Sequence, residues 1–444
     1  MLGKERARTI LEQVLALGGA GETEALLLAD EAALTRFAQN AIHQNVAQQD
    51  TVLRVRAVLD GRVGVASGND LSREGVTAVF DRALQAARVQ PPDPQFAGLP
   101  QPHPYPTLPE LEEATASVTP AARAEFVGHA CAKAEGSHLV AAGALETGLR
   151  EVAVANSNGV LGYHAGSSAE FVTVIMGADS SGYGFALANT LSDLDVEAAV
   201  ARAVDKALTG RAPQVFPAGH YPVVLEPDAT ADLLGSMAYT SFGALQLEEG
   251  SSFLTRRLGQ PVLSSAVTIT DDALNPAILP MPFDFEGSPK TRVSIIDGGV
   301  ATGVVHDTYT ASRAGTQSTG HAFPAPNPYG PRATHLSLAP GTASVSDLVA
   351  SIDEGLLITR FHYTRVVHRP TVTVTGMTRD GTFLIRDGEI AHPVRNLRFT
   401  QSYVQALQDG CVIGAEQRLC GEYGPYLCPA VYIPEFHFTG VTDF

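Results

Sequence analysis

The sequence of 444 residues contains no tryptophan, five methionines and four cysteines, and only 17% of its residues are charged. The cysteines form no CxxC pair, and in a chain of this size we expect reduced thiols rather than a disulfide framework. No run approaches the ~18 apolar residues that a membrane span needs. Basic side chains are scarce too, since 30 lysines and arginines stand against 47 acidic residues and leave a net charge of −17. The negative electrostatic field of a chain with this net charge repels phosphate backbones and anionic lipids, so we expect neither nucleic-acid nor membrane binding.

The N-terminus begins basic and continues apolar, like a signal peptide. Glu12 and Gln13 interrupt the apolar run, however, and no small-residue cleavage pattern follows. Ile10, Val14 and Leu17 are spaced as one face of a helix. We therefore expect these residues to form the first helix of the mature protein rather than a cleaved signal peptide. Because the cysteines are also expected to be reduced, we expect the protein to be cytoplasmic.

The chain does contain enough apolar material for two or three domains, with 45% hydrophobic residues. Its clearest linker is the proline-rich segment 90–110, because proline locks φ and removes backbone donors. A second boundary is predicted at the run RAPQVFPAGHYP, near residue 215. The predicted class is α+β, with three parts: an N-terminal α/β domain (1–95), a middle domain of helices and an antiparallel meander (96–215), and a β-rich C-terminal domain (216–444).

Periodicity places the predicted elements within these parts. Helices are predicted at 3–18, 72–89, 111–136, 193–210 and, from a Ser/Asp cap to Gly355, at 344–355. Short strands joined by turns are predicted between residues 24 and 70, and a meander between 139 and 178.

The stretch LEPDATADLLGSMAYTSFGALQLEEGSSFL (225–254) predicts a long buried helix with Asp228 as its N-cap. Apolar residues recur at i, i+3 and i+4, namely Leu233, Leu234, Met237, Ala238, Ala244 and Leu245. Between Asp232 and Glu248 the chain has no His, Asp, Glu, Cys or Lys. The helix therefore offers neither a metal ligand nor a general base.

Common catalytic motifs are also missing elsewhere. The thirteen histidines form no HExxH, and His362 and His368 are predicted on a strand with their side chains on one face. A nucleophilic pair of Cys420 or Cys428 with His437 stays open, since it depends on spatial proximity. There is no GxSxG elbow, GxxxxGK[ST] loop or GxGxxG after a strand.

Two segments stand out as candidate ligand-facing loops. In the first, the Gly-flanked STGHA, the residues are Ser318, Thr319, Gly320 and His321, without an evident orienting acid for the histidine. Two interpretations of STGHA stay open. In one, its backbone amides and the His321 imidazole face a ligand; in the other, the segment is a tight turn before a proline-rich surface loop. In the second, MPFDFEG, alternation places Asp284 and Glu286 on one face, as metal ligands or as a solvated edge.

The succession of MPFDFEG and STGHA resembles the TldD/PmbA family, whose members carry fDdEG and STGHA-like segments in this order. Similar segments follow one another along nearly the whole chain. They are TRFAQN (35–40), GRVGVASGND (61–70), PPDPQFAGLP (91–100), ANSNG (155–159), SSFLTRRLGQPVLSSAVTITDDALNP (251–276) and CPAVYIPEFHFTG (428–440). The collinearity of these segments carries the resemblance, since each of them alone is weak.

In TldD-type subunits of this family, the helix carries HExxxH, two zinc-binding histidines with a glutamate base between them. Aligned on the Leu-Leu pair, this chain has Gly235 and Thr240 at the histidine positions and Ser236 at the glutamate. A slip of one residue gives Ser236, Met237 and Ser241, so the outcome is the same in either frame. Neutral side chains supply neither ligands nor base, and the resemblance implies no catalytic residue, metal or cofactor in this chain.

The resemblance thus implies a PmbA (TldE) type, non-catalytic subunit. It would pair with a zinc-bearing TldD-type subunit, as a heterodimer or higher assembly, around a chamber where unfolded or precursor peptides are cut. Ser318–His321, Asp284 and Glu286 are then candidates for facing the chamber or peptide, while Cys420 is loosely similar to the third zinc ligand. The alternatives are a homodimeric peptide-binding regulator of the gyrase-modulator type, and a hydrolase using Cys428, Cys420 or His321.

Overall fold

The protein is described by a computed structural model that covers residues 1–19, 21–108, 115, 117–421 and 424–442. The predicted α+β class is confirmed. Part of the helix predicted at 111–136 lies outside the described residues, and its described part forms a helix at Pro120–Gly136. No helix among the described residues combines the length and the apolar character needed to cross a membrane.

Six strands from the described part of the chain form an antiparallel sheet in the order β3-β2-β1-β4-β5-β6. They are β1 (Glu22–Ala38), β2 (Ala41–Leu59), β3 (Arg62–Gly68), β4 (Val140–Asn156), β5 (Leu161–Met176) and β6 (Ser181–Ala188). β1 pairs with β4 over almost its whole length, so the segments before and after residue 95 share one sheet. The prediction of short strands is wrong, because β1 and β2 run for 17 and 19 residues. The boundaries at 95 and 215 stay predictions.

Four helices among the described residues cover the two ends of this sheet: α1 (Lys4–Leu17), α2 (Arg73–Val89), α3 (Pro120–Gly136) and α4 (Val196–Thr209). α1 and α2 pack on one end, and α3 and α4 on the other. Glycine in β6 permits the close approach of α4, since a Cβ on Gly182 would lie 2.0 Å from the carbonyl oxygen of Ala203.

Between these helix pairs, the outer edge of β2 is open. Residues 41–52 of β2 pair only with β1 among the described residues, and residues 41–50 are all exposed. Asp50 is the single acidic residue in this stretch, and it has no lysine or proline. An exposed edge without such residues is open to pairing with another chain.

In the C-terminal half, eleven of the described strands form a second sheet. Five of them pair in a closed ring: β7 (Gly219–Leu225), β12 (Glu354–His368), β13 (Thr373–Arg386), β15 (Leu397–Ser402) and β17 (Tyr426–Val441). The others extend the sheet from this barrel: β8 (Ile269–Asp271), β9 (Val293–Asp297), β10 (Val300–Ala301), β11 (Leu336–Leu338), β14 (Glu389–Pro393) and β16 (Val412–Cys420).

The helices of this half are short except for one. They are α5 (Pro227–Ser241), α6 (Ala244–Glu248), α7 (Thr308–Ala314), α8 (Val345–Ala350) and α9 (Tyr403–Ala406), with a 3-10 turn at Arg369–Thr371. α5 packs against β12 and β17 and belongs to the largest apolar core. Packing of this kind buries eleven of the fifteen residues of α5.

Three local predictions need correction. The N-cap of α5 is Glu226 rather than Asp228, which lies in the first turn and pairs with Arg418. α8 ends at Ala350, because Gly355 already belongs to β12, where it pairs with Ile385. The strand placement of His362 and His368 is confirmed, but register shifts between them interrupt the simple alternation of faces.

Candidate functional site

Helix α5 carries the positions at which the family resemblance places zinc ligands. Pro227 occupies the first turn, where its missing N–H costs no helical hydrogen bond. Gly235 and Thr240 are buried, and Ser236 is half-buried. The Thr240 hydroxyl donates to the Ser236 carbonyl oxygen at 2.8 Å and lies 3.1 Å from the hydroxyl of Ser241. These hydroxyls are thus engaged within the helix itself.

The residues at these positions do not fit a zinc ion. Zinc binds imidazole nitrogen, thiolate sulfur or carboxylate oxygen, and one glycine and two hydroxyl side chains offer none of these. Cys420 lies beside Asp228 in the first turn of α5, with its sulfur 3.7 Å from the carbonyl oxygen of Arg418. In the part of the chain that the structure describes, no three His, Cys, Asp or Glu side chains form a group that could hold a metal ion.

All four cysteines are free and buried, which bears on the alternative of a cysteine hydrolase. Burial raises the pKa of every one of these thiols, most strongly at Cys420 and Cys428. A thiol with a raised pKa is a weak nucleophile, because the thiolate is the reactive form. His437 stacks on His220, with 4.2 Å between the ring centroids. The structure therefore gives the cysteine alternative no support.

We expect the four thiols of the folded chain to resist Ellman's reagent at about pH 8, where an exposed thiol of ordinary pKa reacts readily. After denaturation in guanidinium chloride, all four should react. The absorbance of the released thiolate measures both states. A thiol that reacts within seconds before unfolding would contradict the prediction and restore the cysteine alternative.

His321 of the STGHA loop lies fully buried between two side chains. Its Nε2 lies 2.8 Å from Oδ1 of Asp271, and its Nδ1 lies 2.9 Å from Oγ1 of Thr319. Burial, reinforced by the nearby Lys290 ammonium, lowers the pKa of His321. The imidazole is therefore neutral near pH 7, and we assign its proton to Nε2, which donates to the Asp271 carboxylate.

The Asp271 carboxylate is buried as well. Burial alone would raise its pKa, but the interactions with His321 and the charge of Lys290 outweigh burial and hold the pKa well below its ordinary range. Oδ2 of Asp271 accepts a hydrogen bond from the backbone N–H of His335 at 2.8 Å. Asp271 thus supplies the orienting acid that the sequence around His321 lacks.

The hydroxyls of the STGHA loop hold its backbone in place. The Thr319 hydroxyl oxygen accepts from the backbone N–H of His306 at 2.7 Å, and the Ser318 hydroxyl accepts from the N–H of Gly320 at 3.1 Å. Gly320 has φ of +73°, and a Cβ there would lie 2.3 Å from the carbonyl oxygen of Pro289. The loop is tightly anchored, and a peptide-facing role for Ser318–His321 stays a prediction.

Asp284 and Glu286 lie in a turn rather than on a strand, so the expected alternation does not apply. Both are buried, and the alternative of a solvated edge is wrong. Oδ1 of Asp284 accepts from the backbone N–H groups of Glu286 and Ser288, and Oδ2 accepts from that of Ala322 at 2.9 Å. Burial, together with the charge of Glu286, raises the pKa of Asp284 to about 7. Asp284 thereby ties this turn to the STGHA loop.

Glu286 joins the C-terminal half to the first sheet through Arg56. The Arg56 guanidinium lies 2.9 Å from Oε1 of Glu286 and 2.5 Å from Oε2 of Glu24. Burial raises the pKa of Glu24 to about 7, although Arg56 opposes this shift. One buried cation is therefore shared by two carboxylates from distant parts of the chain.

Sequence reasoning missed Asp271, Lys290 and Arg56. Asp271 lies in TITDDALNP, a segment that carries the family resemblance, and this was a usable signal. Arg56 continues the alternation of LRVRAV on β2, a pattern that predicts an exposed arginine and does not indicate that Arg56 is buried with an acidic partner. No local pattern indicates which residue that partner is.

Three family models match successive parts of the chain. They are those of PmbA/TldA metallopeptidase domain 1 (residues 24–87), the central domain (111–211) and the C-terminal domain (218–440). The C-terminal model alone spans half of the chain.

Curated relatives and solved structures agree with these models. "Metalloprotease PmbA" of Escherichia coli O157:H7 is 23% identical over 88% of this chain and 86% of its own length. A "Metalloprotease" of Methanothermobacter thermautotrophicus is 25% identical over 52% of this chain, and the match spans about half of that relative, 51%.

Among solved structures, TldE from Thermococcus kodakarensis superposes with a TM-score of 0.90 and 23% identity, covering 97% of this chain and 100% of that one. A Thermotoga maritima protein named for a proposed modulation of DNA gyrase gives a TM-score of 0.87 at 21% identity, with coverage of 97% and 100%. At these identities the superpositions show the fold alone. The matching family models show that the chain belongs to the PmbA/TldD metallopeptidase family.

Proposed function

We propose that this chain is a non-catalytic, PmbA/TldE-type subunit of a heteromeric zinc metallopeptidase in the cytoplasm. The zinc and the general base would belong to a TldD-type partner, and the substrate would be unfolded polypeptide or a precursor peptide. The observation that carries the proposal is the chemistry of α5, where Gly235, Ser236 and Thr240 occupy the motif positions. Neutral hydroxyl groups neither hold zinc nor take a proton from a zinc-bound water at neutral pH.

The fold supports a role in binding extended chains. An unfolded polypeptide can pair with an open strand edge through backbone hydrogen bonds, which requires little of its sequence. The outer edge of β2 at residues 41–52 is such an edge, and it carries one acidic side chain in a chain of net charge −17. A partner subunit or a peptide therefore meets little charge repulsion there.

The test is cleavage of an unfolded polypeptide by this chain alone, by a HExxxH-bearing partner alone, and by their mixture. We expect cleavage by the mixture that a chelator abolishes and that zinc restores, and no cleavage by this chain alone. Cleavage by this chain alone would reveal an active site of its own. A mixture no more active than the partner alone would remove the accessory role.

Substitutions on α5 supply a second test of the same proposal. We expect Ser236→Ala and Thr240→Ser to leave the cleavage rate of the mixture within about threefold, because neither hydroxyl binds metal. Thr240→Ser keeps the hydrogen bond to the Ser236 carbonyl, so it controls for loss of helix stability. The matched comparison is replacement of a zinc-binding histidine in the partner. A comparable loss from Ser236→Ala would contradict the prediction.

The alternative is a homodimeric peptide-binding regulator without proteolytic activity, and the names of structural neighbours favour it. Two of them, from Thermotoga maritima and Bacteroides thetaiotaomicron, are named as modulators of DNA gyrase. This alternative predicts a stable homodimer that binds unfolded peptide and that a HExxxH-bearing partner does not dissociate. Size-exclusion chromatography of the mixture separates the two proposals.

A further inference from the structure

We propose that Arg332 and Arg369 form a binding site for a carboxylate group of the bound peptide, on the exposed face of α5. This inference rests on the proposed function, because it names a substrate feature that the subunit would recognise. The site is built from α5, the loop that follows STGHA, and the 3-10 turn that follows β12. It adjoins the STGHA loop, since the backbone N–H of Arg332 donates to the carbonyl oxygen of His321 at 3.4 Å.

The geometry centres on Tyr239. Tyr239 is 40% exposed and follows the half-buried Ser236 by three residues, so both lie on the same face of α5. The guanidinium carbons of Arg332 and Arg369 each lie 5.4 Å from the centroid of the Tyr239 ring. Arg332 also lies 5.6 Å from the ring of Phe323. Stacking on aromatic rings orders a guanidinium while its N–H groups stay directed outward from its edge.

Neither arginine has a carboxylate partner among the residues that the structure describes. Arg332 is half-buried, and its Nε has no hydrogen-bond partner although it is shielded from solvent. Leaving a buried N–H of a cation unsatisfied is unfavourable, and a carboxylate oxygen would satisfy it. Arg369 is exposed, and it adds a second cation beside the Tyr239 ring from the turn that follows β12.

The three segments that form the site share an unusual composition. Residues 233–247, 321–335 and 355–379 contain no aspartate or glutamate, in a chain that has 47 acidic residues. The last of these segments contains four arginines. These segments therefore bring arginines and no acidic side chain of their own to the site, although the buried carboxylates of Asp232 and Asp271 contact them elsewhere. The guanidinium groups of Arg332 and Arg369 attract a single carboxylate at short range.

A carboxylate matches these features better than a polyphosphate does. Arginine binds a carboxylate through two parallel N–H···O bonds, and two arginines on one aromatic platform can share such a group. A nucleic acid would bring many phosphates against the negative remainder of the surface, which opposes binding. The carboxylate belongs to an acidic side chain or to the C-terminus of the peptide, and the experiment separates the two.

The experiment measures binding of a fluorescent, flexible Gly/Ser peptide carrying several glutamates, by anisotropy, to the whole chain alone. Arg369→Gln and Arg332→Gln should each weaken binding about fivefold, and the double variant at least about tenfold. Where side-chain carboxylates are the groups bound, the Gln counterpart of the peptide should bind less tightly and be insensitive to these variants. Amidation of the C-terminus should weaken binding only where the α-carboxylate is the group bound.

Arg88→Gln is the matched control, since it removes one exposed arginine at the end of α2, in the other half of the chain. It should leave binding unchanged. Thermal melting of each variant checks folding, and the exposed Arg369 keeps the test informative where Arg332→Gln lowers stability.

Equal affinity for the Glu and Gln peptides combined with no loss of affinity on C-terminal amidation would overturn the inference, as would equal weakening by Arg88→Gln. Tighter binding of a single-stranded oligonucleotide, lost in the double variant, would overturn it in favour of phosphate. Cleavage of the neutral Gln peptide by the mixture tests the proposed function by itself. The two proposals can therefore fail independently.

Discussion

Arg56→Met is expected to lower the free energy of unfolding by about 3–5 kcal/mol near pH 8, the largest effect we expect for a single substitution here. The side chain of Arg56 is shared by Glu24 and Glu286, and all three are largely buried. Without the guanidinium, two carboxylates stay close together in a site of low polarity. The contact between the first sheet and the C-terminal half is weakened as a result.

This loss depends on pH in a definite direction. Burial raises the pKa of Glu24 to about 7 in the folded chain, above its value in the unfolded chain. Stability from such a group is fully present below the unfolded pKa and is lost as the pH rises through the folded pKa. Removing Arg56 raises the folded pKa of Glu24 further, because the cation opposes the shift. The deficit of the variant should therefore shrink between about pH 8 and pH 5.

Urea unfolding followed by circular dichroism measures the effect, taken as the midpoint of the first transition because a chain of several domains need not unfold in one step. The control is Arg150→Met, which removes an exposed ion pair with Asp30 in the same sheet. Exposed pairs contribute little, and we expect a change of less than about 1 kcal/mol. Equal deficits for the two variants, or a deficit for Arg56→Met that grows in acid, would contradict the prediction.

Asp271→Asn is expected to lower the free energy of unfolding by about 3 kcal/mol. The substitution keeps the shape of the side chain but removes the charge that faces the buried Lys290. Asparagine keeps only one acceptor oxygen, so it can no longer accept from both the His321 Nε2–H and the backbone N–H of His335. The STGHA loop should lose rigidity, since His321 links Asp271 to Thr319.

The pH dependence is opposite to that of Arg56→Met. The folded pKa of Asp271 is held below its ordinary range, so its contribution is present above the unfolded pKa and lost as the pH falls through the folded pKa. The deficit of Asp271→Asn should therefore stay constant between about pH 8 and pH 5 and narrow only in stronger acid.

Asp272→Asn, the neighbouring acid, is the matched control for this measurement. Asp272 is partly exposed, and its closest cation is Arg292 at 3.9 Å. We expect a change of less than about 1 kcal/mol in the same urea titration. A control deficit as large as that of Asp271→Asn would show that the buried pair with His321 contributes nothing special.

Much of the fold was accessible from the sequence because its signals are local. Ser72 caps α2 by accepting from the N–H of Gly75, and Asp195 caps α4 in the same way, so both helices begin where capping residues stand. Strand lengths and the ends of α5 and α8 were less accessible. The ends of these elements depend on pairing partners that are distant in the sequence; Gly355, for example, belongs to β12 because it pairs with Ile385.

The sequence by itself determined which zinc-binding groups are missing at the three motif positions of α5. Gly235, Ser236 and Thr240 carry none of the imidazole, thiolate or carboxylate groups that hold zinc in proteins, whatever the fold around them. The family resemblance is a property of the sequence in the same sense, since collinear segments need no coordinates to be compared.

Only the tertiary structure decided which charges are buried and which groups they meet. Arg56 and Glu286 are separated by 230 residues along the chain, and Asp271 and His321 by 50. Alternation and spacing report a residue's neighbours on its own helix or strand, whereas burial and pKa depend on elements that pack against it from elsewhere. For that reason Asp284 and Glu286, read locally as a metal site or a solvated edge, are buried anchors between distant parts of the chain.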